Sequence, residues 1–141
     1  MAIQFHVKSV PFDWDREDVI RPWIESTIHT ELPSVSIGEI SIVFCSDEYL
    51  LDINRRYLDH DYYTDIITFP FSDQPLSADL YISVERVKEN ASDLGTEFAD
   101  ELARVIIHGI LHLCGYQDSS PDEKRQMRKM ENHYLTMLTS V

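Results

Sequence analysis

Two histidines four residues apart form the pattern with the clearest chemical meaning in this sequence. His108 and His112 lie in an almost wholly apolar stretch, and residues at this spacing share one face of a helix. Two imidazoles placed in this way can converge on one ion, as in the HxxxH pairs of zinc hydrolases. Buried imidazoles satisfied by hydrogen bonds would show the same spacing, so the pair by itself leaves both interpretations open.

The residues after the second histidine offer a third ligand. Gly115 stands where helices commonly end in the left-handed conformation, which glycine adopts without a steric penalty. The chain then turns, so Asp118 can return beside the histidines in a string HxxxHxxGxxD that resembles the zincin pattern. The sequence therefore predicts one Zn²⁺ per chain held by His108, His112 and Asp118, with catalytic water at the fourth position.

The position after the first histidine argues against one familiar mechanism. Proteases of the HExxH type carry a glutamate there as general base, and this chain has Gly109. Either another carboxylate accepts the proton or zinc-bound hydroxide acts alone, since zinc can lower the pKa of its water to about 7. We therefore expect a hydrolase that does not cleave peptides by the HExxH mechanism.

The predicted elements that must position these residues alternate between strand and helix. Strands are predicted at residues 3–7, 37–45, 64–71 and 78–84, and helices at residues 46–58, 85–93, 96–114 and 122–138, with a first helix capped by Asp13 or Asp15. Pro70 indicates that the end of the third strand lies at a sheet edge or leaves the sheet, and the turn at 72–77 indicates an antiparallel pair. The sequence predicts a single α/β domain of the α+β, zincin-like type, with a mixed sheet of about four strands, about five helices and the metal site at the end of the long helix.

Composition limits the classes of partner. The 141 residues carry a net charge of −13, which disfavours strong non-specific binding to nucleic acid. One basic run is an exception to this acidic character. Its candidate substrate-binding residues are Lys124, Arg125, Arg128 and Lys129. The run fits either a solvated helix face or a patch that faces phosphate.

The chain is expected to work in the cytoplasm without a membrane span. It contains no run of about 18 apolar residues of the kind that crosses a bilayer. Cys45 and Cys114 both lie among apolar residues, so buried and reduced thiols are expected, which suits a reducing compartment.

Three blocks of this sequence resemble the motifs of one known family. Residues 108–116, HGILHLCGY, resemble the signature HGxLHLxGYDH. Asn54 and Tyr57, followed by TDIITFPF at 64–71, resemble NxxYRxxDxPTDVLSFPF, and ADLYIS at 78–83 is similar to a GDIxIS strand. These motifs resemble those of the YbeY family of bacterial endoribonucleases, which are implicated in rRNA maturation. The resemblance implies that residues 1–141 form one metal-dependent hydrolase domain acting on ribosomal RNA of the small ribosomal subunit.

The chain departs from these family motifs at several positions. Asp118 stands where the family has a third histidine. The aspartate would bring a negative charge to the metal and is a harder ligand than histidine. Leu58 replaces an arginine thought to help the chemistry, for which Arg55 or Arg56 are possible substitutes. Tyr63 replaces a proline and Ala78 a glycine.

Two functions fit these observations. The first is a zinc-dependent, single-strand-specific endoribonuclease in rRNA maturation and ribosome assembly, with Arg55, Arg56 and Arg104 as candidate cations for the developing oxyanion. Asp65 and Asp79 are then the candidate carboxylates near the site, although capping or turn chemistry would explain them equally well.

The second function is a non-catalytic ribosome-assembly factor with a mainly structural metal site. Such a protein would bind a ribosomal protein or a GTPase, and the acidic surface suits basic ribosomal proteins. An open fourth coordination position would argue against it, because structural zinc sites are closed by four protein ligands. Hydrolysis of a small substrate by the same site is a third, weaker possibility.

Overall fold

The computed structural model describes residues 2–139, which form one sheet with helices packed on it. The elements in chain order are β1 (Ile3–Lys8), α1 (Glu17–Glu31), β2 (Ile37–Cys45), α2 (Asp47–Leu58), β3 (Ile66–Asp73), β4 (Leu76–Ser83), α3 (Val84–Leu94), α4 (Phe98–Leu113) and α5 (Pro121–Thr139). The predicted α+β fold, with four strands and five helices within these residues, is confirmed. The predicted boundaries 1–141 also include Met1, Ser140 and Val141, which lie outside the described residues.

The sheet is mixed, with strand order β1-β2-β4-β3. β1 pairs with β2 and β2 pairs with β4 in parallel, whereas β3 pairs with β4 antiparallel. β3 is therefore an edge strand, as Pro70 predicts, because proline lacks the N–H that an interior ladder needs. The predicted antiparallel pair is also confirmed.

The connection between β3 and β4 is shorter than the predicted turn at 72–77. Pairing continues through Ser72 with Ser77 and through Asp73 with Leu76, so only two residues join the strands. The prediction was wrong because it took polar residues as the end of the ladder. Ladder pairing depends on backbone hydrogen bonds, so it continues through Ser72 and Asp73 although their side chains are polar.

The start of α1 is also corrected. Neither Asp13 nor Asp15 caps the helix, which begins at Glu17. Trp14 packs edge-on against Phe44 of the core, with ring centroids 4.8 Å apart, and this contact holds the preceding segment in an irregular path.

Other helix starts lie close to the predicted positions. The predicted cap of α2 is confirmed, because Ser46 Oγ accepts a hydrogen bond of 3.1 Å from the Tyr49 N–H. α4 begins at Phe98, two residues later than predicted, and β3 also begins two residues late.

The main core lies between the sheet and the helices α1, α4 and α5, and alternating residues of β2 and β4 point into it. A smaller cluster on the other sheet face packs α2 on β3 and β4, with Cys45, Leu50, Ile53 and Ile67 at its centre. α4 is thus held against one sheet face, and its C-terminal end lies beside the edge strand. Among the described helices, none combines the length and apolar character needed to cross a membrane.

Candidate metal centre

The C-terminal half of α4 presents both histidines on one face, next to the carboxylate that comes after the helix. His108 Nε2 and His112 Nε2 lie 3.0 Å apart. Asp118 Oδ2 lies 3.2 Å from His108 Nε2 and 3.5 Å from His112 Nε2. The structure therefore brings the three predicted ligands together, and their donor atoms lie within 4.8 Å of one another.

The second nitrogen of each imidazole is bonded to the protein. His108 Nδ1 lies 2.7 Å from Glu131 Oε2, and His112 Nδ1 lies 2.9 Å from the carbonyl oxygen of Tyr116. Both partners are acceptors, so each Nδ1 donates its hydrogen, and in the neutral imidazole each Nε2 then keeps a lone pair. This is the tautomer that metal ligation requires, with the orienting contact on the other ring nitrogen. The donor set and its outer contacts fit a bound divalent cation.

Glu131, on α5, is the outer partner of His108. The residue is only 4% exposed, and it also accepts a hydrogen bond of 2.9 Å from Arg104 Nη1. Burial raises the pKa of this carboxyl, but the bonds from His108 and Arg104 outweigh burial and lower it overall. Burial lowers the pKa of His108, but the bond to Glu131 and the nearby carboxylates outweigh it and raise the pKa.

Sequence reasoning missed Glu131, although the sequence contains a signal for it. Met127, Tyr134 and Leu138 form the buried stripe of α5 at helical spacing, and Glu131 falls on that stripe. A charged residue on the apolar face of an amphipathic helix is rarely buried unless it is paired. Its partner, however, lies on another helix.

The turn after α4 positions both the second histidine and the aspartate. Gly115 has φ +108°, a region that residues with a Cβ rarely adopt. The Tyr116 N–H donates to the Leu111 carbonyl at 3.1 Å, which points the Tyr116 carbonyl toward His112. The Tyr116 hydroxyl donates to Glu31 Oε1 at 2.8 Å, so the turn is braced against α1.

A cleft of about 810 Å³ opens beside the three donor atoms. It runs along the edge strand β3 and is closed by the α2–β3 loop and the end of α4. A second cavity of about 340 Å³ lies between α4 and α5. Asp65, His108 and Asp118 line both spaces, so the centre can be reached from either side.

The structure separates the two candidate carboxylates. Asp65 precedes β3 and lines both cavities, and burial raises its pKa. Asp79 alternates with Leu80 along β4, so it points to the opposite sheet face and lines a different cavity. Asp65 therefore lies beside the predicted ligands, and Asp79 does not.

The candidate cations are also separated. Arg55 pairs with Asp61 and Arg56 with Asp52, both on the outer side of α2, and neither lines the cleft. Arg104 lines the second cavity, where its guanidinium bonds Glu131.

The predicted basic patch on α5 divides in two. Lys124 and Arg128 line the second cavity beside the centre. Arg125 pairs with Asp122, and Lys129 is exposed. Only half of the patch therefore faces the candidate metal centre.

Gly109 has a packing role at the position where HExxH proteases carry their base. A Cβ at this position would lie 2.7 Å from Ile66 Cδ1 and 2.7 Å from Leu80 Cδ2. α4 approaches the sheet closely there, so any larger residue at this position would have to displace the side chains of Ile66 and Leu80.

Both thiols are in the reduced state that the sequence predicts, and Cys45 is fully buried while Cys114 is partly buried. Burial raises the pKa of each thiol to about 12. A thiol with that pKa is not a nucleophile near neutral pH.

Comparison with known proteins identifies the family of this chain. A family model described as Endoribonuclease YbeY matches residues 2–139. A Parabacteroides distasonis protein named Endoribonuclease YbeY is 42% identical over 139 residues, which are 98% of this chain and 96% of that protein. A protein of the same name from Christiangramia forsetii is 49% identical over 127 residues, 89% of this chain and 87% of that protein. This chain belongs to the YbeY family.

A solved structure supports the fold. The solution structure of TM1509 from Thermotoga maritima superposes with a TM-score of 0.69 at 24% identity, covering 96% of this chain and 88% of that chain. At the position of the YbeY-family arginine, Leu58 lines the cleft, so no guanidinium enters from there. Asp118, at the position of the family's third histidine, still presents an oxygen to both imidazoles.

Proposed function

We propose that this chain is a metal-dependent endoribonuclease specific for single-stranded RNA, which acts in the cytoplasm on ribosomal RNA of the small subunit during rRNA maturation and ribosome assembly. Residues 1–141 would act as one hydrolase domain with one Zn²⁺ held by His108, His112 and Asp118. Membership of the YbeY family supports the nuclease activity. The observation that carries the metal assignment is the convergence of two Nε2 atoms and a carboxylate oxygen while both Nδ1 atoms are bonded elsewhere.

The donor set supports a catalytic site over a structural one. Structural zinc sites are normally closed by four protein ligands, whereas catalytic sites use three. Among the described residues, the group that could hold a metal has three members and borders the large cleft. When bound there, a divalent cation supplies Lewis acidity that stabilises negative charge on a phosphoryl oxygen.

Asp65 is the side chain best placed to move a proton. It lines the cleft beside His108, and Asn90 Nδ2 approaches its Oδ2 at 3.5 Å. Burial raises its pKa toward the range in which a carboxylate works as a general base. We assign the proton-accepting role to this carboxylate.

Lys124 and Arg128 are the side chains that we assign to phosphate contacts. Both line the cavity next to the centre, and cations there stabilise the charge that develops on a phosphodiester during cleavage. Arg104 is held by Glu131 and serves the centre through that carboxylate.

A cleavage assay tests the function. The purified chain is stripped of metal and assayed on a short single-stranded RNA and on the matching duplex, with and without added Zn²⁺. We expect Zn²⁺ to restore cleavage of the single strand, and His108→Ala to reduce it by at least about 100-fold. His29→Ala removes an exposed histidine of α1 and is the matched control, with unchanged activity. Equal cleavage by the stripped protein, or no cleavage with any divalent cation, would contradict the proposal.

A further inference from the structure

Two aromatic side chains of the α2–β3 loop form a stacked pair in the cleft. The rings of His60 and Tyr62 have centroids 5.0 Å apart and planes inclined by 21°. Tyr62 Oη and His60 Nδ1 are joined by a hydrogen bond of 2.9 Å. The Tyr62 side chain is 54% exposed, and His60 is exposed as well. Exposed aromatic rings that stack on each other leave an outer face free for a further flat ring.

The loop that carries this pair is tied to α2. Asn54 is buried, and its Nδ2 donates to the Tyr62 carbonyl at 2.9 Å. The His60 N–H in turn donates to the Asn54 carbonyl at 3.1 Å. These two hydrogen bonds hold the loop backbone in place around the rings. Less conformational entropy is therefore lost when a ligand binds.

The pair borders the same cleft as the candidate metal centre. His60 and Tyr62 line it together with His108, His112 and Asp118. A strand of RNA that crosses the centre along β3 would pass the two rings.

The cleft is acidic, so an RNA strand that binds there would depend more on contacts to its bases than on contacts to its phosphates. Among the described residues that line it, none is a lysine or an arginine, and three are aspartates, at positions 65, 73 and 118. Arg55, on the helix that precedes the loop, pairs with Asp61. Stacking on aromatic rings does not depend on cations and contributes about 1–3 kcal/mol per base in proteins that bind single strands.

We propose that His60 and Tyr62 form a nucleobase platform, which stacks an unpaired base while the neighbouring phosphodiester lies at the His108, His112 and Asp118 centre. This inference rests on the proposed endoribonuclease function and extends it to substrate selection. Bases within a duplex have both faces covered by their neighbours, so the platform accepts only unpaired bases. The specificity for single strands would then reside in this loop.

Binding measurements with a cleavage-resistant RNA test the platform. The metal-loaded chain is titrated with a short, fluorescently labelled single-stranded 2′-O-methyl phosphorothioate RNA, and anisotropy gives the Kd. We expect Tyr62→Ala to raise the Kd about 5- to 150-fold, the equivalent of one lost base stack. His60→Ala should weaken binding in the same direction, and Tyr62→Trp, which retains a flat ring, should bind within about threefold of the unmodified chain.

A matched control separates stacking from a general loss of aromatic surface. Tyr57 is 69% exposed, but it packs against Phe69 and lines the cavity on the opposite sheet face. Tyr57→Ala should leave the Kd unchanged. The loss in Tyr62→Ala should persist at high salt, because stacking is not screened as phosphate contacts are.

Two results would overturn the platform while leaving the nuclease function intact. One is a Kd for Tyr62→Ala and His60→Ala equal to that of the unmodified chain, with metal-dependent cleavage retained. The other is an equal loss in Tyr57→Ala. A thermal melt of each variant identifies any loss that comes from unfolding, and Tyr62→Trp then provides the test. An unmodified chain that neither binds nor cleaves RNA would instead overturn the proposed function itself.

Discussion

The unused nitrogen of each histidine distinguishes a pair of metal ligands from two satisfied core histidines. A histidine that only fills the core has its polar atoms bonded to the protein. Here the Nε2 atoms of His108 and His112 face each other at 3.0 Å, with Asp118 as their other neighbour. In two neutral imidazoles the lone pairs at this distance repel each other, and a cation between them turns that repulsion into attraction. This geometry supports the proposed ligand set.

Glu131 is the residue whose change separates metal affinity from folding. In Glu131→Gln the side chain keeps its size but loses the charge that polarises His108 Nδ1–H and balances Arg104. Loss of such an outer partner typically weakens metal binding roughly 10- to 100-fold, and we expect that range here. Competition with a chromogenic zinc chelator measures the Kd.

Glu39→Gln makes the same change at an exposed position of β2 and should leave the zinc Kd unaltered. A fall in thermal stability of Glu131→Gln at constant zinc Kd would mean that Glu131 only packs α5 onto α4.

The end of α4 and the turn that follows it together position the residues of the candidate metal centre. Gly115 allows the left-handed turn, and the backbone after it delivers an acceptor to His112 and a carboxylate to both imidazoles. A second glycine offers a natural comparison, since Gly95 ends α3 with φ +69°. A Cβ at either glycine would have no neighbour within 4 Å, so the two positions differ mainly in the segment that each turn leads into.

Alanine at each of these glycines gives a paired prediction. Both Gly115→Ala and Gly95→Ala should lower the free energy of unfolding by about 1–2 kcal/mol, because a Cβ is unfavourable in the left-handed region. Only Gly115→Ala should also weaken zinc binding, since only that turn carries a ligand. Urea denaturation and chelator competition on the same samples measure the two effects. Equal zinc affinity in both variants would show that the turn does not position Asp118.

The sequence predicted the elements whose cause is local. The bounds of β2 match the prediction at both ends, because its sequence IGEISIVFC is rich in β-branched and aromatic residues. The three candidate ligands lie within eleven residues, so helix periodicity and one glycine turn suffice to bring them together. The start of α1 could not be predicted, because it is set by the packing of Trp14 on a distant strand.

Residues placed by tertiary contacts were harder to predict. Glu131 lies 23 residues from His108, and only the packing of α5 on α4 makes them partners. Asp79 lies on the sheet face opposite the site, because successive residues of a strand point to opposite faces. The sequence alone does not show which of the two faces carries α4.

Over the whole molecule, charge is distributed unevenly around the site. The net charge is −13, yet Lys124, Arg128 and Arg104 lie together at the cavity between α4 and α5, among four carboxylates at positions 65, 101, 118 and 131. An acidic surface repels nucleic acid in general, while the few cations beside the centre attract a single phosphodiester. A substrate would thus be selected by the site itself, and the remaining surface would discourage binding elsewhere.

Elemental analysis of the purified chain tests the proposal that His108, His112 and Asp118 together hold one catalytic metal ion. The unmodified chain and His29→Ala should each carry about one zinc, and His112→Ala and Asp118→Ala should each lose it, because three protein ligands leave none to spare. A chain that takes up no metal on zinc loading would contradict the claim outright. Full zinc occupancy in Asp118→Ala would contradict the three-ligand set and leave Asp118 as part of the turn alone.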